Sequence, residues 1–164
     1  MPRDIILKPI TKDHMTKTYE WISDLEFRKA FMVRGENSWG RHVHYFDNLL
    51  RDDTQQGYAI FLGELHVGNC GFKYINNLEK SAELWIYIGS VDARGIGLGG
   101  KAIGMLLKNG INCFNLNMVY VHVAEDNHRA ISLYKQNGFF EHGNCADEWK
   151  GREAAMIRMV WEVQ

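Results

Sequence analysis

Two hydrophobic periods alternate along this chain, and the points where one gives way to the other divide it into elements. Ile5 to Ile10 is a short apolar run that predicts a strand. From Thr11 and Asp13 the spacing turns helical, with Met15, Tyr19, Trp21, Ile22 and Leu25 as its apolar positions. Gly35 to Ser38 is a loop, and Ser38 is a natural N-cap for a second helix carrying His42, Tyr45, Phe46, Leu49 and Leu50. The polar stretch from Asp52 to Gly57 ends that helix.

Strands follow. Tyr58 to Leu62 and Val67 to Tyr74, joined by Gly63-Glu64, predict an antiparallel hairpin, and a turn over Asn76 to Lys80 leads into a strand from Ala82 to Ile88. A glycine-rich opening then starts a helix over Gly95 to Phe114, with Ala102, Ile103, Leu106, Leu107, Gly110, Ile111 and Phe114 on one face. Met118 to Val123 reads as a strand and Asn127 to Asn137 as a helix stopped by Gly138. Phe139 to His142 and Ala155 to Val163 close the chain as strands. The order β-α-α-β-β-β-α-β-α-β-β predicts an α/β (α+β) fold, one domain over residues 1–164 built on a mixed sheet with flanking helices.

Composition narrows the function classes. The 164 residues are 46% hydrophobic and 24% charged, with a net charge of −1. That leaves neither the basic field of a nucleic-acid binder nor the excess charge that would hold a chain on a membrane. No apolar run approaches the ~20 residues of a membrane span. Cys70, Cys113 and Cys145 are odd in number and widely spaced, which suits reduced thiols in the cytoplasm. His42 and His44 stand two apart on a predicted helix and point away from each other, so no metal site is expected.

The strongest local signal runs from Val91 to Lys101, where Gly95, Gly97, Gly99 and Gly100 fall between a strand and a helix. Glycines there let an anion approach the backbone, while the unpaired N–H groups and dipole of the helix start attract it. Gly95, Gly97 and Gly100 also spell a dinucleotide fingerprint, with Glu125 or Asp126 further on. The hairpin strands before it and the single helix after it depart from the parallel βαβ context of that motif.

The same residues read as R-x-x-G-x-G through Arg94, Gly97 and Gly99. This resembles the acetyl-CoA pyrophosphate loop of the GNAT superfamily of N-acyltransferases. A second match follows: Asn127, Ala130, Leu133, Tyr134, Gly138 and Phe139 stand as in that family's N-x-x-A-x-x-L-Y-x-x-x-G-F helix. The two motifs span about Ala82 to Phe140. The resemblance implies a sheet whose fourth and fifth strands splay apart, with pantetheine beside Ile86, Tyr87 and Ile88. It implies a pyrophosphate loop of Arg94, Gly95, Ile96, Gly97, Gly99 and Gly100, and a cofactor contact from Asn127, Ala130 and Lys135. It implies Tyr134 as the acid that protonates the departing thiolate, against the plainer role of a core aromatic. Glu83 matches an acidic position of the family and is either a general base or a salt-bridged strand residue.

Glu83, Trp85 and Tyr87 share one strand face by the period of two. The N-terminal half, with Tyr19, Trp21, Asp24, Arg28, Trp39, His42, Tyr45 and Phe46, is similar to family members that act on nucleotide-linked amino sugars of the pseudaminic-acid type. N-terminal and polyamine acetyltransferases carry similar helices. Trp21, Trp39, Tyr45 and Trp85 offer flat surfaces for a ring, and Arg28, Arg41 and His42 could meet phosphate. His42 is equally a buried histidine. The expected donor is acetyl-CoA and the expected partner a small-molecule amine, preferably an amino-sugar nucleotide. A ribosomal-protein N-terminus, a polyamine, and an acyl-CoA-binding module without turnover are the alternatives. A homodimer is compatible with the resemblance.

Overall fold

A computed structural model describes residues 4–30, 33, 35–144 and 155–164, so Cys145 lies outside the described residues. The strands are β1 (Ile5–Pro9), β2 (Gln56–Leu62), β3 (Leu65–Asn76), β4 (Ser81–Ile88), β5 (Met118–Ala124), β6 (Phe140–Asn144) and β7 (Met156–Glu162). The helices are α1 (Met15–Ile22), α2 (Leu25–Ala30), α3 (Trp39–Arg51), α4 (Leu98–Phe114) and α5 (His128–Gln136).

The seven strands form one sheet in the order β1-β2-β3-β4-β5-β7-β6. Every pairing is antiparallel except that of β4 with β5. One face carries the main core, where Ala102, Ile103 and Leu106 of α4 and Ile131 of α5 meet Phe72, Leu84, Val119 and Met159. On the other face α3 covers β2 through a smaller cluster of Ile10, Phe46 and Leu49. Thr18 of α1 and Tyr87 of β4 are both tied to the buried amide of Asn69 on β3, at 2.8 and 2.7 Å.

Three sequence expectations shift. The first helical run is broken after Ile22, because Asp24 Oδ1 accepts from the Phe27 N–H at 3.0 Å and starts a separate α2. The glycine-rich helix begins only at Leu98, since Gly95 and Gly97 adopt φ of 73° and 85°. Phe139 leaves the strand pattern and is buried in the core, so β6 starts at Phe140.

Trp21 illustrates how tightly the two layers meet. A Cβ placed on Gly89, just past β4, would stand inside the Trp21 indole. Gly89→Ala is therefore expected to cost about 1–3 kcal/mol through overpacking. A urea titration checks it, and an unshifted midpoint would show that the indole has room to move.

Candidate active site

The parallel ladder between β4 and β5 is short. It pairs Ser81 with Met118, Ala82 with Val119 and Glu83 with Tyr120, and stops there. From Leu84 to Ile88 the β5-facing edge of β4 therefore has no strand beside it, while its other edge stays paired to β3 as far as Ile88. A wedge opens with Glu83 at its apex, exposing backbone that a ligand can pair with along Ile86, Tyr87 and Ile88. Arg94 closes one end of it, its Nε donating to Ile88 O at 2.9 Å and one Nη to Gly89 O at 3.2 Å. Arg94 thus braces the glycine-rich loop before α4 against β4.

Gly97 is the N-cap of α4, and no side chain caps that helix. A Cβ on Gly97 would meet nothing within 4 Å, so the space over the first turn of α4 is open to an anion. Gly99 and Gly100 instead face the neighbouring helix, with Leu133 of α5 at 3.4 and 3.5 Å from their would-be Cβ atoms. Asn127 caps α5, its Oδ1 accepting from Ala130 N–H at 3.1 Å. Lys135 is paired with Glu141 at 3.4 Å, and Ala130 and Tyr134 pack against the main core.

Tyr134 and Glu83 converge on the apex. Burial first, and the nearby Glu83 carboxylate second, push the Tyr134 hydroxyl up to about 12, so it stays protonated at neutral pH. Glu83 itself is buried, with Oε1 2.6 Å from His122 Nδ1 and Oε2 3.7 Å from Lys73 Nζ. Sequence reasoning missed His122 and Lys73, because neither belongs to a motif and both reach Glu83 from other strands.

Beside the wedge, on the α1–α3 face, lies an open cavity of about 510 Å³. Arg28, Arg41, His42, Tyr45, Trp85, Ile86 and Tyr87 line it, as do Glu36 and Lys73, which the sequence did not single out. The Trp85 and Tyr87 rings stack at 6.1 Å along one wall. Arg28 donates to Ile22 O and Gly35 O at 3.3 and 2.6 Å, which ties the start of α2 to the loop before α3.

His42 is buried and also lines the cavity. Its Nε2 is 2.9 Å from Met15 O, and a carbonyl only accepts, so Nε2 carries the proton and Nδ1 is an acceptor. That Nδ1 has no partner among the described residues. Burial, opposed by the Met15 bond, lowers the His42 pKa and keeps the ring neutral. Two of the expected ring-stacking residues lie elsewhere. Trp21 is buried against Gly89 and the His66 ring, and Trp39 is an exposed residue edge-on to Tyr19 at 5.1 Å. Neither lines the cavity, because helical spacing marks an apolar stripe without telling which part of it the sheet covers.

Residues 4–140 match the family model for the acetyltransferase (GNAT) domain. The chain belongs to the GNAT acetyltransferases. A spermidine N(1)-acetyltransferase of Vibrio cholerae is 30% identical over 130 residues, spanning 76% of this chain and 69% of its own. The acetyltransferase PseH of Campylobacter jejuni is 27% identical over 109 residues, 66% of each chain. Among solved structures, the V. cholerae spermidine N-acetyltransferase in complex with CoA and spermine superposes with a TM-score of 0.87 at 21% identity, covering 96% of this chain and 95% of that one. The same V. cholerae enzyme is known in a dodecameric form, with a TM-score of 0.80 at 21% identity over 96% and 93% of the two chains.

This GNAT chain is an acetyl-CoA-dependent N-acetyltransferase, and its geometry fits the donor. The unpaired edge of β4 suits an extended pantetheine arm, and the open cradle at Gly97 suits a pyrophosphate. Among the described residues no helix is long and apolar enough to cross a membrane, and no three His, Cys, Asp or Glu side chains are grouped to hold a metal ion.

Proposed function

We propose that this acetyltransferase acetylates the primary amine of a nucleotide-linked amino sugar. One observation carries the choice of acceptor: among the described residues of the cavity beside Glu83, Arg28, Arg41 and Lys73 stand against Glu36 alone, with His42 neutral. Such a wall attracts the diphosphate of a sugar nucleotide and repels a polycation. The Trp85–Tyr87 stack offers a flat surface to a base or a sugar ring, and the unpartnered Nδ1 of His42 offers an acceptor to its N–H or O–H.

Acetyl-CoA supplies the activated acyl group when bound. Glu83 removes a proton from the ammonium, which has no lone pair until it is lost; Tyr134 Oη gives a proton to the leaving thiolate and regains one from the acylated nitrogen as it becomes the amide. Free Cys70 and Cys113 are in keeping with a cytoplasmic enzyme, and self-association, as a homodimer or more, with the dodecamer of the V. cholerae relative.

A polyamine acceptor is the second reading, favoured by the 30% identity to the V. cholerae spermidine enzyme. Thiol release from acetyl-CoA with amino-sugar nucleotides, polyamines and N-terminal peptides separates the possibilities. Release with an amino-sugar nucleotide is expected, and release with spermidine or a peptide alone would replace the proposal. Arg41→Ala sharpens the contrast. It should raise the acceptor KM about tenfold for an amino-sugar nucleotide, by losing a charged contact, with kcat little changed. With a polyamine the KM would fall.

A further inference from the structure

We infer that His122, fixed by Arg158, is a positioning residue that aims Glu83 at the acceptor amine. The inference rests on Glu83 being the base. Glu83 is the last residue of β4 paired with β5, and His122 stands two residues beyond its partner Tyr120, where the strands part. Across the next ladder His122 is in register with Arg158 of β7.

The three side chains form an ordered chain. Arg158 Nε lies 3.3 Å from His122 Nε2 and can only donate, so Nε2 must accept. The ring proton of this tautomer is then on Nδ1, which donates to Glu83 Oε1 at 2.6 Å. With its proton already on that side, the imidazole cannot take one from Glu83. It is a fixed donor, not a relay. Oε1 is occupied by this bond, and Oε2 lies toward Lys73, a residue of the acceptor cavity. Oε2 is therefore the atom that takes the ammonium proton, leaving the amine lone pair free; Glu83 returns the proton to solvent after the product departs.

Among the described residues, Lys73 from β3, His122 from β5 with Arg158 of β7 behind it, and Tyr134 from α5 are the titratable and charged groups around this carboxylate. Of these, only His122 is held at hydrogen-bonding distance from it, which makes His122 the residue that sets its orientation. A side chain that belongs to neither cofactor motif thereby acts on the proton transfer.

The test compares His122→Leu, His122→Asn and His122→Gln in the full chain. The asparagine amide N–H occupies the place of Nδ1–H, whereas glutamine places its amide nearer Nε2. His122→Leu should lower kcat about tenfold or more by losing a bond to a charged acceptor. Its acid limb in kcat/KM should move to higher pH, because a carboxylate deprived of a donor protonates more readily. Acetyl-CoA affinity should stay as in the wild type. His122→Asn should restore both rate and profile, and His122→Gln should not. A wild-type rate and profile in His122→Leu, or equal behaviour of the two amides, would overturn the positioning role. Glu83→Gln is measured alongside. If it leaves rate and profile unchanged, the base assignment itself fails and the inference with it. If it is slow while His122→Leu is normal, only the positioning role fails.

Discussion

Tyr134→Phe should lower kcat by about 10²–10⁴, the range in which a positioned acid contributes, and leave acetyl-CoA affinity nearly unchanged. The substitution removes one oxygen and keeps the ring, which packs at 5.4 Å against Phe139 and into the main core. Packing therefore survives, and only the proton donor is lost. The hydroxyl has no hydrogen-bond partner among the described residues, so none of these competes for its proton. Because burial and Glu83 raise its pKa to about 12, its deprotonation adds no basic limb to the rate profile within an ordinary assay range. Rapid-quench kinetics beside isothermal titration with acetyl-CoA provide the check. A parallel loss of rate and affinity would make Tyr134 a packing residue and leave the leaving group to solvent.

The second large effect is expected at Gly97, where charge and backbone strain can be separated. Its φ of 85° is left-handed, a conformation that asparagine and aspartate tolerate better than other side chains. Both substitutions project into open space, since a Cβ there meets nothing within 4 Å. Gly97→Asn adds bulk alone. Gly97→Asp adds nearly the same bulk and a negative charge where the uncapped first turn of α4 awaits an anion. The aspartate variant should lose acetyl-CoA binding, and the asparagine variant should retain at least about tenfold more affinity than it, given the worth of a charge at a helix start. Titration calorimetry and the shift of Tm on adding acetyl-CoA both report it. Equal affinities in the two variants would mean that the pyrophosphate is held elsewhere.

Both predictions concern residues that short motifs mark, Gly97 by its glycine-rich spacing and Tyr134 by the family resemblance, and the reason is local. The glycines between Arg94 and Lys101 act through backbone conformation, and Tyr134 lies within a helix whose cap, Asn127, and stop, Gly138, are close in sequence. The acceptor side was read less well. Trp21 and Trp39 were expected to hold a ring, yet the indole of Trp21 is spent on Gly89 and Trp39 stands on Tyr19. Lys73 gives no sequence signal, since a single basic residue on a strand has no pattern of its own. His42 was open to two meanings, and the structure accommodates both: one nitrogen bonds the backbone of Met15 while the other is an unpartnered acceptor in a residue that lines the cavity.

The amino-acid sequence by itself determined the succession of strands and helices apart from the break between α1 and α2, the glycine-rich start of α4 and the helix that bears Tyr134. Each depends on periodicity, capping and backbone freedom within a few residues, which the chain specifies without reference to its distant parts. Only the tertiary structure decided that β7 enters between β5 and β6, and that the β4–β5 ladder ends at Glu83. Those are matters of register across a sheet, set by which faces bury together. From them follow the chain of Glu83, His122 and Arg158 and the positive wall of the cavity, assembled from residues that only the folded sheet brings within reach of one another.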